Sequence, residues 1–259
     1  MTNNIIATVE DFEKVVSEMR SGTIFESYWE LFRGQSKNSY NLKSGISRYA
    51  ETSDSIRSLE SNILKDFREL INESANPNKF INLSYHNSDY ENDWRWLEQI
   101  QHYRLPTRLL DWTTCAKVAL FFAVERNFED DAQFWIFKSP LSWQCDEHFE
   151  INPFADNLDI ISNSSFFVEE QYKDKIAEQR RGFQNGKFTF QDYEKSLIPL
   201  EEQAHIKKRL IKYIIPSTSK QCFLDYVKKS NISEETIYIQ YDSEIEDLVS
   251  KIKRKYNFK

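Results

Sequence analysis

The chain has 259 residues, 40% hydrophobic and 15% aromatic, with 19 Phe, 13 Tyr and 6 Trp, so it can bury a sizeable aromatic-rich core and is not a disordered segment. A formal net charge of −7 argues against a broad phosphate-binding face, because nonspecific nucleic-acid affinity rests on Lys and Arg neutralising phosphates. Cys115, Cys145 and Cys222 are odd in number and form no CxxC pair, and no run of about 18 apolar residues occurs, so a reducing, cytoplasmic setting without membrane insertion is expected.

Thr8 and Asp11 form a capping pattern ahead of Phe12, Val15, Val16 and Met19, which predicts an N-terminal packing helix over residues 1–22, stopped by Gly22. Two interleaved sets in Tyr28-Trp-Glu-Leu-Phe-Arg-Gly predict a strand ending at Gly34, with Arg33 at its exit. Ile56, Leu59, Ile63, Phe67 and Leu70 form one stripe of a long helix from Ser53 to about Asn72. Residues 76–92 read as a polar loop, and Asp93 begins a short helix with Trp96, Leu97 and Ile100 that Pro106 ends. Thr113 or Thr114 is placed to cap an apolar helix, Ala116 to Glu125.

Alternation predicts a strand over Asp131–Lys138. Residues 140–170 are irregular and read either as an excursion or lid, or as a buried Ω-like loop. Gly186–Phe190 and Arg209–Ile215 read as strands, the second closed by Pro216. Ser243 and Glu246 form a capping box for a last helix bearing Ile245, Leu248, Val249 and Ile252. No repeat or domain boundary stands out, so 1–259 is expected to be one domain.

Three segments carry polar groups suited to a site. Gln101-His-Tyr-Arg-Leu-Pro-Thr-Arg-Leu-Leu-Asp-Trp-Thr113 is the densest, and its structural alternative is an Arg108–Asp111 ion pair fixing a turn while Trp112 packs. In Phe32-Arg33-Gly34 the arginine suits a pyrophosphate and the glycine permits close approach, although a surface turn would have the same composition. Arg181-Gly-Phe-Gln184-Asn-Gly186 concentrates scarce glycine beside Gln184, which reads as a ligand contact or as a plain hairpin entrance. The histidines, His86, His102, His148 and His205, show no metal-ligand spacing, so no metal is expected. GxGxxG, GxxxxGK[ST], GxSxG and kinase motifs are missing, which disfavours Rossmann, P-loop, serine hydrolase and kinase readings.

Taken together, Phe32-Arg33-Gly34, the Gln101–Thr113 segment with Ala119-Leu-Phe-Phe-Ala123, and Arg181-x-x-Gln184-x-Gly186-x-Phe188-Thr189 resemble the FRG domain, over about residues 29–256. Arg104 departs from the resemblance, standing where that family usually has glycine. The order of Arg33, a Thr-containing central segment and Gln184 is also similar to the order of site residues in ADP-ribosyltransferases. That second resemblance implies an α+β fold with two small, mainly antiparallel sheets flanked by helices, and NAD bound between them as substrate. It further implies Arg33, Thr107 and Gln184 as catalytic positions. The binding positions it implies are Arg33, Gly34, His102, Tyr103, Arg108, Asp111, Trp112 and Thr113, with Thr107 or Thr113 at the nicotinamide ribose and Tyr103 or Trp112 as a stacking face. Where transferases often have glutamate, Gln184 would give weaker electrostatic help.

The leading expectation is therefore an NAD-cleaving transferase, acting on a macromolecule or water, in a toxin or antiphage setting. One alternative is a non-catalytic nucleotide- or protein-binding module of a bacterial defence system. Another is a nucleic-acid-acting enzyme with Arg33, Arg104, Arg108, Arg180 and Arg181 converging on one cleft.

Overall fold

The computed structural model describes residues 4–20, 28–73, 89–140, 151–156, 158, 161–164, 186–238 and 243–258. Six strands form one antiparallel sheet: β1 (Tyr28–Gln35), β2 (Leu110–Thr113), β3 (Ala132–Pro140), β4 (Ile161–Ser164), β5 (Gly186–Phe190) and β6 (Leu210–Ile215), in spatial order β4-β5-β2-β1-β3-β6. The expected pair of separate sheets is thus a single one, yet its middle joint is slight. β1 pairs with β3 along its whole length, whereas β1 and β2 meet only at Phe32 and Thr113. Beyond that pair the two halves part.

The eight helices among the described residues are α1 (Val9–Arg20), α2 (Ser53–Asn72), α3 (Asp89–His102), α4 (Ala116–Val124), α5 (Ala204–Lys207), α6 (Lys220–Lys228), α7 (Glu234–Ile237) and α8 (Ser243–Tyr256). α4 is apolar apart from Lys117 because it is enclosed on nearly every side. One side meets Phe32, Phe134 and Ile136 of the sheet, and the same cluster takes in Phe12 and Val16 of α1 with Phe223 and Val227 of α6. The opposite sheet face carries Leu31, Leu110, Trp112, Trp135 and Phe137. β3 is therefore buried on both faces, and its alternation sorts residues between two cores.

A further cluster joins Ile56, Ile63 and Phe67 of α2 to Trp96 and Ile100 of α3 and to Val249 and Ile252 of α8. The stripe expected on α2 is the buried one, with Leu59 and Leu70 at its margin. Thr8 and Asp11 cap α1 reciprocally, Asp11 N donating to Thr8 Oγ1 at 3.1 Å and Thr8 N to Asp11 Oδ2 at 2.9 Å. α4 starts at Ala116 as expected, but its N-cap residue is Cys115, whose amide is bonded by Thr113 Oγ1 at 3.0 Å. α3 begins at Asp89, four residues ahead of the expected Asp93, so the end of the expected loop is helical. Gly22 and most of the 140–170 stretch lie outside the described residues, although Ile161–Ser164 forms an edge strand on β5, and α8 starts at Ser243. No described helix is long and apolar enough to cross a membrane.

Candidate functional site

The parting of β1 and β2 opens a cavity of about 580 Å³, within the roughly 300–1,000 Å³ usual for small-molecule sites. β1 leads into it through Phe32, Arg33 and Gly34. Each residue of this tripeptide has its own task. Phe32 packs in the core beneath α4, at 4% exposure. Gly34 lies under the same helix, where an added Cβ would sit 1.8 Å from the Ala119 carbonyl oxygen and 2.6 Å from the Ala123 nitrogen. The close approach that this glycine permits is therefore that of a helix to a strand.

Arg33 points the other way. Its guanidinium donates through Nη1 to the Asp111 carbonyl, spanning the gap where ladder bonds between β1 and β2 do not continue. Its Nε is buried without a hydrogen-bond partner among the described residues. Burial pushes the Arg33 pKa down to about 10, with nearby Arg48 adding to the fall and Asp111 opposing it. A desolvated cation with an unused donor is a place where an anion gains more than it would in water.

Facing Arg33 is an oriented carboxylate. Thr107 Oγ1 donates to Gln101 Oε1 at 2.8 Å and also accepts from Leu109 N at 3.1 Å, which fixes the Gln101 amide. Gln101 Nε2 then donates to Asp111 Oδ2 at 2.8 Å. Asp111 is exposed to the cavity while its strand neighbours Leu110 and Trp112 are buried. Thr107, at 1% exposure, does not line the cavity and acts on it through Gln101.

Two more carboxylates line the walls. Glu98, wholly buried, lies 3.3 Å from His102 Nε2. Glu125 accepts from Tyr238 Oη at 2.6 and 2.7 Å and from Arg126 Nη2 at 2.6 Å. Burial raises the Glu125 pKa above the usual carboxylate range, although Tyr238 and Arg126 pull the other way. The cations on the lining are Arg33, Arg48, Arg104, Arg126 and Lys187, five against three carboxylates in a chain whose total is −7. The cavity is locally cationic in an acidic protein, which focuses anionic ligands there.

Of the expected positions, Arg33, Gly34, His102, Asp111, Trp112 and Thr113 line the cavity, while Thr107, Tyr103 and Arg108 do not. The Arg108–Asp111 pair is corrected: Arg108, 1% exposed, pairs with Glu60 at 2.7 Å and donates to the Pro153 and Gln191 carbonyls. Tyr193 and Phe190 lie against its guanidinium. A buried cation needs a buried anion and full donor satisfaction, and Glu60 on α2 supplies what the exposed Asp111 does not. Arg108 is thereby removed from any convergence of arginines on the cleft, and Arg180 and Arg181 fall outside the described residues.

The rings proposed for stacking are committed to the core. Tyr103 packs on Phe67 at 5.7 Å, and Trp112 packs on Phe137 at 5.3 Å while Nε1 donates to Thr189 Oγ1 at 3.0 Å. Gln184 is outside the described residues, although Gly186, Lys187 and Phe188 of β5 reach the lining.

Arg104 has a backbone role that explains a glycine preference. It sits at φ 60°, in the left-handed region, one residue past the cap of α3. Arg104 N bonds Gln101 O at 3.0 Å and Leu105 N bonds Ile100 O at 3.1 Å, the two bonds of a Schellman turn. Glycine takes this conformation freely; arginine takes it at a cost and lays its guanidinium over Tyr238, 4.9 Å from the ring centre.

Several lining residues carry no local sequence signal: Arg48 at the end of a 3-10 turn, Glu98 on α3, Glu125 and Arg126 after α4, and Tyr238 after α7. Lys220 is another. Wholly buried, it donates to the Ser36, Arg126 and Asn127 carbonyls at 2.8, 3.2 and 2.7 Å, tying two stretches of the wall together.

No curated protein and no solved structure matches the chain. The family model described as the FRG domain matches residues 29–132, a span that holds Arg33, Gly34, the Thr107–Gln101–Asp111 relay, Glu98 and Glu125. From β1 to the first residue of β3, the chain is similar to the FRG domain.

Proposed function

We propose that the cavity binds an anionic nucleotide and that the protein is an ADP-ribosyltransferase-like enzyme which cleaves NAD and passes ADP-ribose to a macromolecule or to water. The observation that carries this reading is the desolvated, incompletely bonded Arg33 at the parting of two three-stranded half-sheets, opposite the oriented carboxylate of Asp111. Arg33 and Arg48 take the pyrophosphate, where planar donors bond two oxygens at once.

Asp111 supplies the negative charge that Gln184 lacks. The glycosidic bond between C1′ and the nicotinamide nitrogen breaks, nicotinamide leaves neutral with the bonding pair, and the cation left on the ribose is stabilised by the carboxylate. A water or a macromolecular hydroxyl, amine or carboxylate gives its electron pair to C1′. Any proton it sheds passes to Glu125, a carboxylate on the wall of the same cavity.

The test is incubation of the protein with NAD, alone and with a cell lysate, while free nicotinamide and protein-bound label are measured. Release that disappears in Arg33→Ala and Asp111→Asn supports the reading. Intact NAD in both conditions overturns the transferase chemistry, and thermal stabilisation by NAD without turnover would leave the non-catalytic binding module, the reading that a neutral Gln184 favours.

A further inference from the structure

With Tyr103 and Trp112 held in the core, a ring-binding surface must come from elsewhere on the cavity wall, and two chain segments bring one. Gly45 lets the 3-10 turn Ile46–Arg48 settle against Pro106, with 3.3 Å from a built Cβ to the Pro106 Cα. This turn presents Arg48 and then Tyr49, both on the lining. Tyr49 keeps 43% exposure, high for so large an aromatic side chain.

The second segment is the end of α8. Asn257 sits at φ 54°, its amide bonded to Arg254 O at 3.4 Å, while Phe258 N bonds Lys253 O at 2.9 Å. This is again a Schellman turn, and it folds Phe258 back onto the cavity mouth. Phe258 stacks on Tyr256 at 5.5 Å with 20° between the rings, and Tyr256 is itself held by Asp66 at 2.7 Å. Phe258 meets Tyr49 edge-on, 4.7 Å between centres at 61°. Tyr49 is thus buttressed from below while remaining open to the cavity.

We infer that Tyr49, braced by Phe258, is the stacking subsite for a nucleobase, so that the ligand is a base-bearing phosphate and not a bare polyphosphate or sugar phosphate. This rests on the nucleotide reading above and adds to it. Base and phosphate then lie along one short path, from Tyr49 through its chain neighbour Arg48 to Arg33, which matches the covalent order of a nucleotide. Every base offers a π face, so this contact recognises the ring class and leaves the choice of base to the polar rim.

Calorimetric titration of the full chain with ADP and, separately, inorganic pyrophosphate tests the assignment. Tyr49→Ala is expected to weaken ADP binding roughly five- to 150-fold and to leave pyrophosphate binding unchanged. Tyr49→Phe keeps the face and is expected to keep wild-type affinity for both. Phe258→Ala is expected to shift ADP affinity in the same direction, with its melting curve checking that α8 remains docked. Unchanged ADP binding in Tyr49→Ala, or an equal loss of ADP and pyrophosphate, overturns the stacking subsite while the Arg33-dependent anion site stands. Failure of the wild type to bind either compound overturns the nucleotide reading and this inference with it.

Discussion

Substituting Arg33→Met removes the guanidinium while keeping a side chain of similar reach. Burial lowers the Arg33 pKa from 12.5 to about 10. At about 1.4 kcal/mol per pKa unit, the charge costs the fold about 3 kcal/mol, an upper figure because the half-buried side chain keeps some solvent contact. A cation whose folded-state pKa is depressed carries that cost fully at neutral pH and sheds it only as pH rises past about 10. The charged hydrogen bond to the Asp111 carbonyl returns about 1.5–3 kcal/mol. The two nearly cancel, so the unfolding free energy of the variant is expected to stay within about 2 kcal/mol of wild type. Ligand binding is where the loss falls. A nucleotide at 100 times its dissociation constant stabilises its binder by about 2.7 kcal/mol, which for a chain of this size is roughly 5–10 °C in melting temperature. Melting curves with and without NAD or ADP should show that shift in wild type and none in Arg33→Met. A retained shift would refute the assignment of Arg33 as an anion contact. A loss above about 4 kcal/mol without ligand would mean that the guanidinium is chiefly a strut between β1 and β2.

Gly34→Ala places a methyl group against two backbone atoms of α4 that cannot turn aside, so it should cost at least about 3 kcal/mol by urea unfolding; a neutral result would contradict the close packing of α4 on β1. Arg104→Gly relieves the left-handed strain and is expected to raise stability by up to about 1 kcal/mol, while weakening anion binding by removing a cation from the wall. Glu60→Ala leaves Arg108 buried and unneutralised, a loss of about 3–5 kcal/mol, whereas the joint change Glu60→Leu with Arg108→Met should recover most of it. Glu125→Gln removes a carboxyl whose folded-state pKa lies above its ordinary 4.5. A raised carboxyl pKa gives stability that is present below 4.5 and lost as pH rises through the folded value, so wild type should weaken relative to Glu125→Gln as pH rises above 4.5, and melting temperatures that stay parallel through that rise would refute the burial argument.

The elements that were legible in the residues are those whose apolar spacing matches the face they bury. The α2 stripe of Ile56, Ile63 and Phe67 and the alternation of β3 are of this kind, and so is the enclosed helix α4, which has no polar face to hide. β2 gives no such signal. Four residues long, it alternates Leu110 and Trp112 in the core with Asp111 in the cavity, and it reads locally as a continuation of a polar loop. α6, whose buried residues Phe223 and Val227 are joined by the buried Lys220, was equally silent.

What the chain order determined by itself was composition and local grammar: an aromatic-cored α+β protein, a capped helix where Thr8 stands, and the Phe32–Gly34 and Gln101–Thr113 segments as unusual concentrations of polar groups. Tertiary structure alone decided the partners. Asp111 and Glu60 are both acidic, and only burial assigns Glu60 to Arg108 while leaving Asp111 to Gln101 and the cavity. Glu125, Tyr238, Tyr49 and Phe258 lie far apart in the chain and meet because the sheet is joined at one residue pair and opens beside it. Propensity and periodicity act over a turn or two of chain, whereas desolvation and charge pairing act through space, so the site's electrostatics exist only once the fold has closed around them.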